Sequence, residues 1–443
     1  MRGRGKRLAA GAAVALALAA LPGIPAAASA AEAADRERVA RDAILIQSAA
    51  DFNPANGVRA GSGTKADPYV ISDWEVPSLV IRNTNRWVTI QDNVVTGQMV
   101  LDWIGPGVRV VRNDVADLRV NQNVERTGPA TDGYIGNNTF GLVGQLRHFD
   151  GIFERNVVGT EHVLAKRPSF KAVQFDGFNG ARFRDNTIYG YVDVKLHGHH
   201  HGSRYGDHSH DHHATYDAEG IPTHEHGSAH VDHSRRYHEV FISGNELHSD
   251  HDWALRYYDR AHTGDDRTAA SETDKNLNCP HVHFTRVHLT GNKLIGSGIA
   301  VDVFNASDDN HWTTERGSVE IRGNKIKIER ASTELLRGAH GILVQEAVDV
   351  DVDITGNYIV GPETSGERDL LGLDKELHFG SGIKLHQLDQ ARVRIVDNMV
   401  LQRTYGVDAT SFTGSVRWTV RNLKVAHVKE KVHYDETVSR KPS

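Results

Sequence analysis

The chain has 443 residues, 39% of them hydrophobic and 24% charged, which supplies a core and excludes overall disorder. With 51 Lys+Arg against 57 Asp+Glu the net charge is −6, which lacks the basic footprint of a nucleic-acid-binding surface, so no nucleic-acid partner is expected. The single Cys279 excludes an intrachain disulfide framework, and 27 histidines are the compositional anomaly.

The N-terminus reads as an address. Arg2, Arg4, Lys6 and Arg7 precede an Ala/Leu-rich stretch from Leu8 to Leu21, and Ala28-Ser29-Ala30 supplies a small-residue cleavage pattern. A secretory signal peptide over residues 1–30 is expected, and with it an extracellular location. Its removal takes away four basic and no acidic residues, moving the net charge from −6 to −10. No other segment approaches membrane-spanning length, so no membrane span is expected. Residues 31–55, Ala-rich with charges around Val39, Ile44 and Leu45, read as an amphipathic helical cap and an entry segment.

A short pattern then recurs: alternating apolar and polar residues ending in Asn, as in Val88-Thr89-Ile90-Gln91-Asp92-Asn93 and Val240-Phe241-Ile242-Ser243-Gly244-Asn245. Copies end at Asn93, Asn113, Asn138, Asn156, Asn186, Asn245, Asn292, Asn324, Asn357, Asn398 and Asn422. Period-two alternation is the strand signal. Asn suits the left-handed backbone of a tight corner, and identical Asn side chains can stack as an amide ladder. A second strand opens with Gly in Gly298-Ile299-Ala300-Val301, Gly341-Ile342-Leu343-Val344 and Gly382-Ile383-Lys384-Leu385. Strand, corner and strand, repeated, describe a solenoid.

These repeats, with the opening Gly61-Ser62-Gly63-Thr64-Lys65-Ala66-Asp67-Pro68, resemble the right-handed parallel β-helix of the pectate-lyase-like superfamily. The entry segment is also similar to β-helix proteins of periplasmic copper-site maturation. The resemblance implies an all-β solenoid of about eleven coils over residues 56–425, followed by a cap or loosely packed tail over 426–443. Such a rod is on the order of 50 Å long. The resemblance speaks for fold and leaves activity open, because this scaffold carries lyases, hydrolases, isomerases, adhesins and binding proteins.

The interval from Asn186 to Asn245 is 59 residues, too long for one coil. An inserted loop over 198–237 is expected there. Twelve histidines fall between His197 and His233, among them His199, His201, His208, His210, His212, His224 and His226, interleaved with Asp and Glu. Imidazole and carboxylate at that density suit zinc or copper, without the fixed spacing of a closed structural site. A second cluster, His248, Asp250 and His251, is followed one coil later by His281 and His283, which share a strand face. Cys279 beside them reads first as a small buried residue.

In the Gly-initiated strands, inward apolar residues alternate with outward polar ones. Stacking the copies places Gln174 and Asp176, then Asp193, Lys195 and His197, then Arg256 and Tyr258, on one exposed face. Asp302, Gln345, Lys384, His386 and Asp408 continue it. A one-residue slip would turn all of them inward. Two chemistries fit this ladder on an extended polysaccharide. β-Elimination from a uronate needs a cation against the carboxylate and a base for the C5 proton, roles open to Lys195, Arg256, Tyr258, Asp193 and His197. Asp176, Asp302, Gln345, Lys384 and His386 would then bind substrate, and Asp176, Asp193 or Asp250 could hold calcium. Hydrolysis needs two carboxylates, for which Asp176 with Asp193, or Asp302 with Asp308 and Asp309, are available. The expectation is a secreted protein acting on polysaccharide, a metal-assisted lyase on acidic, uronate-containing glycans before a hydrolase, and a monomer. The alternatives are a zinc- or copper-binding protein and a non-catalytic surface β-helix.

Overall fold

The computed structural model describes residues 38–105, 107–122, 133–147, 149–167, 169–176, 180–196, 237–251, 253–259, 284–304, 316–329, 340–362 and 380–438. The expected signal segment and almost all of the histidine-rich insertion lie outside them. Strands dominate the rest. The described residues contain one α-helix, Glu161–Lys166, capped by the Thr160 hydroxyl accepting from the Val163 N–H at 3.2 Å.

Among the described residues the strands form sheets of 21 and 13 members. Each strand pairs in parallel with its counterpart in the next repeat, the pattern a solenoid requires. The strand leading into each asparagine belongs to the smaller sheet. Val88–Gln91 pairs with Val108–Val111, for example, and Phe284–Thr290 with Gly317–Arg322. Past the corner the chain enters the larger sheet. One pair among the described residues is antiparallel, Val58–Ala60 with Tyr69–Ser72, at the entry segment.

The corner differs from the sequence reading in one respect. The left-handed residue is the one before the asparagine: Asp92 at φ 58°, Arg112 at 54°, Asp185 at 56° and Gly244 at 66°. The asparagine itself turns inward and is buried. From Asn93 to Asn357 each Nδ2–H donates to the Oδ1 of the next coil's asparagine at 2.9–3.1 Å, with Asn398 the last acceptor. Asn422 is out of this series: its own φ is 51° and its amide donates to Asp397 at 3.0 Å. Leu423, 4% exposed, takes the inward place. An apolar residue closes the ladder at its last rung.

The interior is a continuous column of Val, Ile, Leu and Phe, with Phe153 and Phe183 stacked at 4.9 Å. Both ends depart from expectation. Where a helical cap was expected, Val39–Ala40 and Ile44–Ile46 are strands paired in parallel with Trp74–Val76 and Leu79–Thr84. The reason is local. Ile44 and Ile46 are buried and Leu45 is exposed, a period-two pattern that a helix could not present to one core. At the other end, the expected cap or tail begins with the strand Lys424–Tyr434, which continues the larger sheet beyond Met399–Thr410.

Candidate functional site

The strands that carry the polar ladder are Lys171–Asp176, Tyr191–Leu196, Trp253–Asp259, Gly298–Phe304, Ile342–Val348, Ser381–His386 and Met399–Thr410. Their pairing makes two rows of register partners. One runs Asp176, Lys195, Tyr258, Asp302, Gln345, His386, Thr410; the other runs Gln174, Asp193, Arg256, Ala300, Leu343, Lys384, Asp408. Partners in a parallel ladder share a face about 4.8 Å apart, so the two rows lie side by side. The interleaved residues Val194, Tyr257, Val301 and Leu385 point into the core.

The face is less open than expected. Asp176, Asp193, Asp302, Lys384 and Asp408 are buried, each below 9% exposure, whereas Lys195, Arg256, Tyr258, Gln345 and His386 are half-buried. The cause is the reach of longer neighbours over short carboxylates. Gln145 and Gln174 both donate to Asp176 Oδ2, at 3.0 and 2.7 Å. Lys171 and Lys195 flank Asp193 Oδ2 at 3.4 and 3.2 Å. Gln345 Nε2 donates to Asp302 Oδ2 at 3.5 Å.

Arg256 is different. Its guanidinium lies 4.8 Å from the Tyr258 ring centroid and makes no ion pair among the described residues. On the two neighbouring strands, Asp193 is already engaged by its two ammonium groups and position 300 is alanine. Arg256 is thus a cation with its in-plane donors uncommitted, beside a phenol and within one strand of the Lys195 ammonium.

A second cluster sits three strands further along, about 14 Å by the strand spacing. Lys384 Nζ and Ser381 Oγ both donate to Asp408 Oδ2, at 2.7 and 3.1 Å. His386 Nδ1 and Thr410 Oγ1 are 3.1 Å apart, and burial with the Lys384 charge lowers the imidazole pKa. Beneath them His340 Nδ1 accepts the Ser381 N–H at 3.1 Å, which places its proton on Nε2. Burial, and then the charges of Arg403 and Lys384, push His340 down to about 3. Arg403 donates to the Ser381 carbonyl at 3.4 Å, and burial pulls its guanidinium down to about 9. Sequence reasoning missed His340, Ser381 and Arg403. His340 and Ser381 directly precede the glycines that open their strands, a signal that was available. Arg403 follows the left-handed Gln402, where alternation fails.

The expected metal ligands are mostly out of view. His197, His199, His201, His208, His210, His212, His224, His226, His281, His283 and Cys279 lie outside the described residues, as do Asp308 and Asp309. His248 meets Glu246 at 3.0 Å and stacks on Tyr189 at 4.9 Å, while His251 stacks on Tyr191 at 4.3 Å. Asp250 lies between them, and no three His, Cys, Asp or Glu converge on a metal position among the described residues. Calcium fits poorly at Asp193, where it would compete with two ammonium groups.

No helix among the described residues is long and apolar enough to cross a membrane. Comparisons with protein-family models, with curated proteins and with solved structures found no match to this chain.

Proposed function

We propose that the chain is an exported right-handed parallel β-helix that binds an acidic polysaccharide along the ladder and cleaves it by β-elimination. The observation that carries this reading is Arg256, a guanidinium with no ion pair among the described residues, beside an Asp193 carboxylate that two ammonium groups already engage. A uronate carboxylate is the natural bidentate partner of such a group. Bound there, the carboxylate loses negative charge and the C5–H becomes more acidic. Tyr258 and Lys195 are register partners on adjacent strands, and in this reading they exchange the protons. A base takes the C5 proton, the C4–O bond breaks with its electron pair passing to the leaving oxygen, and that oxygen is protonated. A C4–C5 double bond remains. The His386–Lys384 cluster further along the same rows would bind the polymer several sugars away.

Arg256→Ala, Tyr258→Phe and Lys195→Ala test it on polygalacturonate and on alginate. Arg256→Ala should raise KM as well as lower kcat. Tyr258→Phe should lower kcat by about 10²–10⁴-fold, the range of a lost proton-transfer group. Full turnover in all three variants would retire the assignment.

The histidine-rich segment supports a second reading. Twelve histidines within residues 197–233 suit an exchangeable zinc or copper store. Deleting residues 198–237 separates the two. Elimination should survive the deletion, whereas metal capacity should be lost.

A further inference from the structure

The smaller sheet carries a groove that the ladder chemistry does not use. It has a volume of about 1030 Å³ and runs over the strands Gly317–Arg322, Val350–Thr355, Arg392–Val396 and Arg417–Arg421. Its last two strands present Arg392, Arg394, Arg417 and Arg421, all exposed, while Val393, Ile395 and Trp418 alternate into the core. No acidic residue lies on either strand. Counting Glu320, Asp351 and Asp353, which also line it, the groove holds five arginines against three carboxylates, a net cationic surface on a chain whose net charge is −6.

The pairing is unusual for a solvated face. Arg392 stands directly opposite Arg417 in register, a like-charge cross-strand pair of the kind that destabilises a sheet. Among the described residues Arg394 is the only one of the four with a carboxylate, Asp353 at 3.2 Å, which Arg322 shares at 2.7 Å. Arg392, Arg417 and Arg421 make no ion pair among the described residues. Asp351, the register neighbour of Arg392 on its other side, is held by Arg316 at 3.2 Å. Three uncommitted guanidinium groups therefore face one groove.

Their spacing selects the ligand. Arg417 and Arg421 are four residues apart on one strand, about 13 Å, too far for one small anion to bridge. An extended polymer with charge at intervals can meet both. We propose that this groove is a second, non-catalytic docking surface for an acidic polysaccharide, on the sheet that does not carry the ladder. Carboxylates match the planar fork of arginine, and one placed between Arg392 and Arg417 would remove their mutual repulsion. A nucleic acid needs a broad basic footprint, which an acidic chain with one small basic patch lacks.

The test is affinity electrophoresis of the full chain through gels containing polygalacturonate, at low and at high salt. Arg392→Ala/Arg417→Ala/Arg421→Ala should weaken retention about tenfold or more, and high salt should weaken it in the parent protein. Arg256→Ala, which weakens the ladder and leaves the groove intact, should lose only part of the retention, and adding the three groove substitutions to it should remove the rest, which separates this surface from the ladder. A control removing exposed charge elsewhere, Arg82→Ala/Arg119→Ala/Lys424→Ala, should bind as the parent does. Unchanged retention of the groove variant, equal loss in the control, or complete loss through Arg256→Ala alone would overturn the proposal. Equal retention on duplex DNA would overturn the choice of polysaccharide.

Discussion

Lys384 and Asp408 face each other across neighbouring strands, Nζ to Oδ2 2.7 Å, with both side chains largely withdrawn from water. Such a pair is worth little relative to apolar residues of similar volume, yet removing one partner strands the other. Lys384→Met should therefore cost about 3–5 kcal/mol of stability. The double variant Lys384→Met/Asp408→Leu should recover most of that loss. Denaturant midpoints of the two variants and the parent check this. A double variant as unstable as the single would mean that Ser381, which also bonds Asp408, depends on the charge.

His340 sets a pH dependence. Its pKa is about 3 in the folded chain against an ordinary value of 6.5, so between those values the unfolded state binds a proton that the folded state refuses. The stability this group contributes is present above its unfolded pKa and is lost as pH falls toward 3, by about 1.4 kcal/mol per pH unit. His340→Asn keeps an acceptor for the Ser381 N–H without the titration. Its stability should fall less steeply than the parent's between about pH 6 and about pH 4. Parallel slopes in urea melts would remove His340 from the account.

The amide ladder should be most sensitive in its middle. Asn245 donates to the carbonyls of Phe183 and Ser243 and to Asn292, and accepts from Asn186. Asn245→Ala leaves several of these groups buried and unpaired, at about 1–3 kcal/mol for each group not rescued by water. Asn422→Ala, at an exposed corner with φ 51°, should cost only about 1 kcal/mol, from the left-handed backbone that Asn tolerates better than Ala. The difference between the two denaturation curves is the measurement.

Arg403 is a cation 2% exposed, with Nε and Nη1 buried and without hydrogen-bond partners. An unneutralised buried charge destabilises, so Arg403→Met should raise the thermal midpoint. It should also move the His340 titration upward, since the Arg403 charge helps to hold that imidazole neutral. Histidine NMR and calorimetry read the two effects. A lowered midpoint would show that the guanidinium supports the Ser381 corner through its 3.4 Å bond.

Much of this was legible in the sequence because the repeat is short and strictly alternating. The rows through Lys195–Tyr258 and Asp193–Arg256 follow from period-two spacing alone, and Tyr257 falls inward as its phase requires. Asn422 was misplaced because the last repeat is one residue out of step, with Leu423 in the buried rung. The Ala-rich start suggested a helix, but Ile44 and Ile46 are recruited by the edge of the sheet. Burial of Asp176 and Asp302 could not be read from their own strands, since it comes from Gln145, Gln174 and Gln345. Three-dimensional neighbours set the electrostatics of the site.

The central claim is elimination on an acidic glycan. The most direct measurement follows the ultraviolet absorbance of unsaturated uronate during incubation of the metal-stripped protein with polygalacturonate, with Arg256→Ala run alongside. The account predicts a rise with the parent protein and a strongly reduced one with the variant. A flat trace from the parent on every uronate polymer, with or without added calcium or zinc, would contradict it.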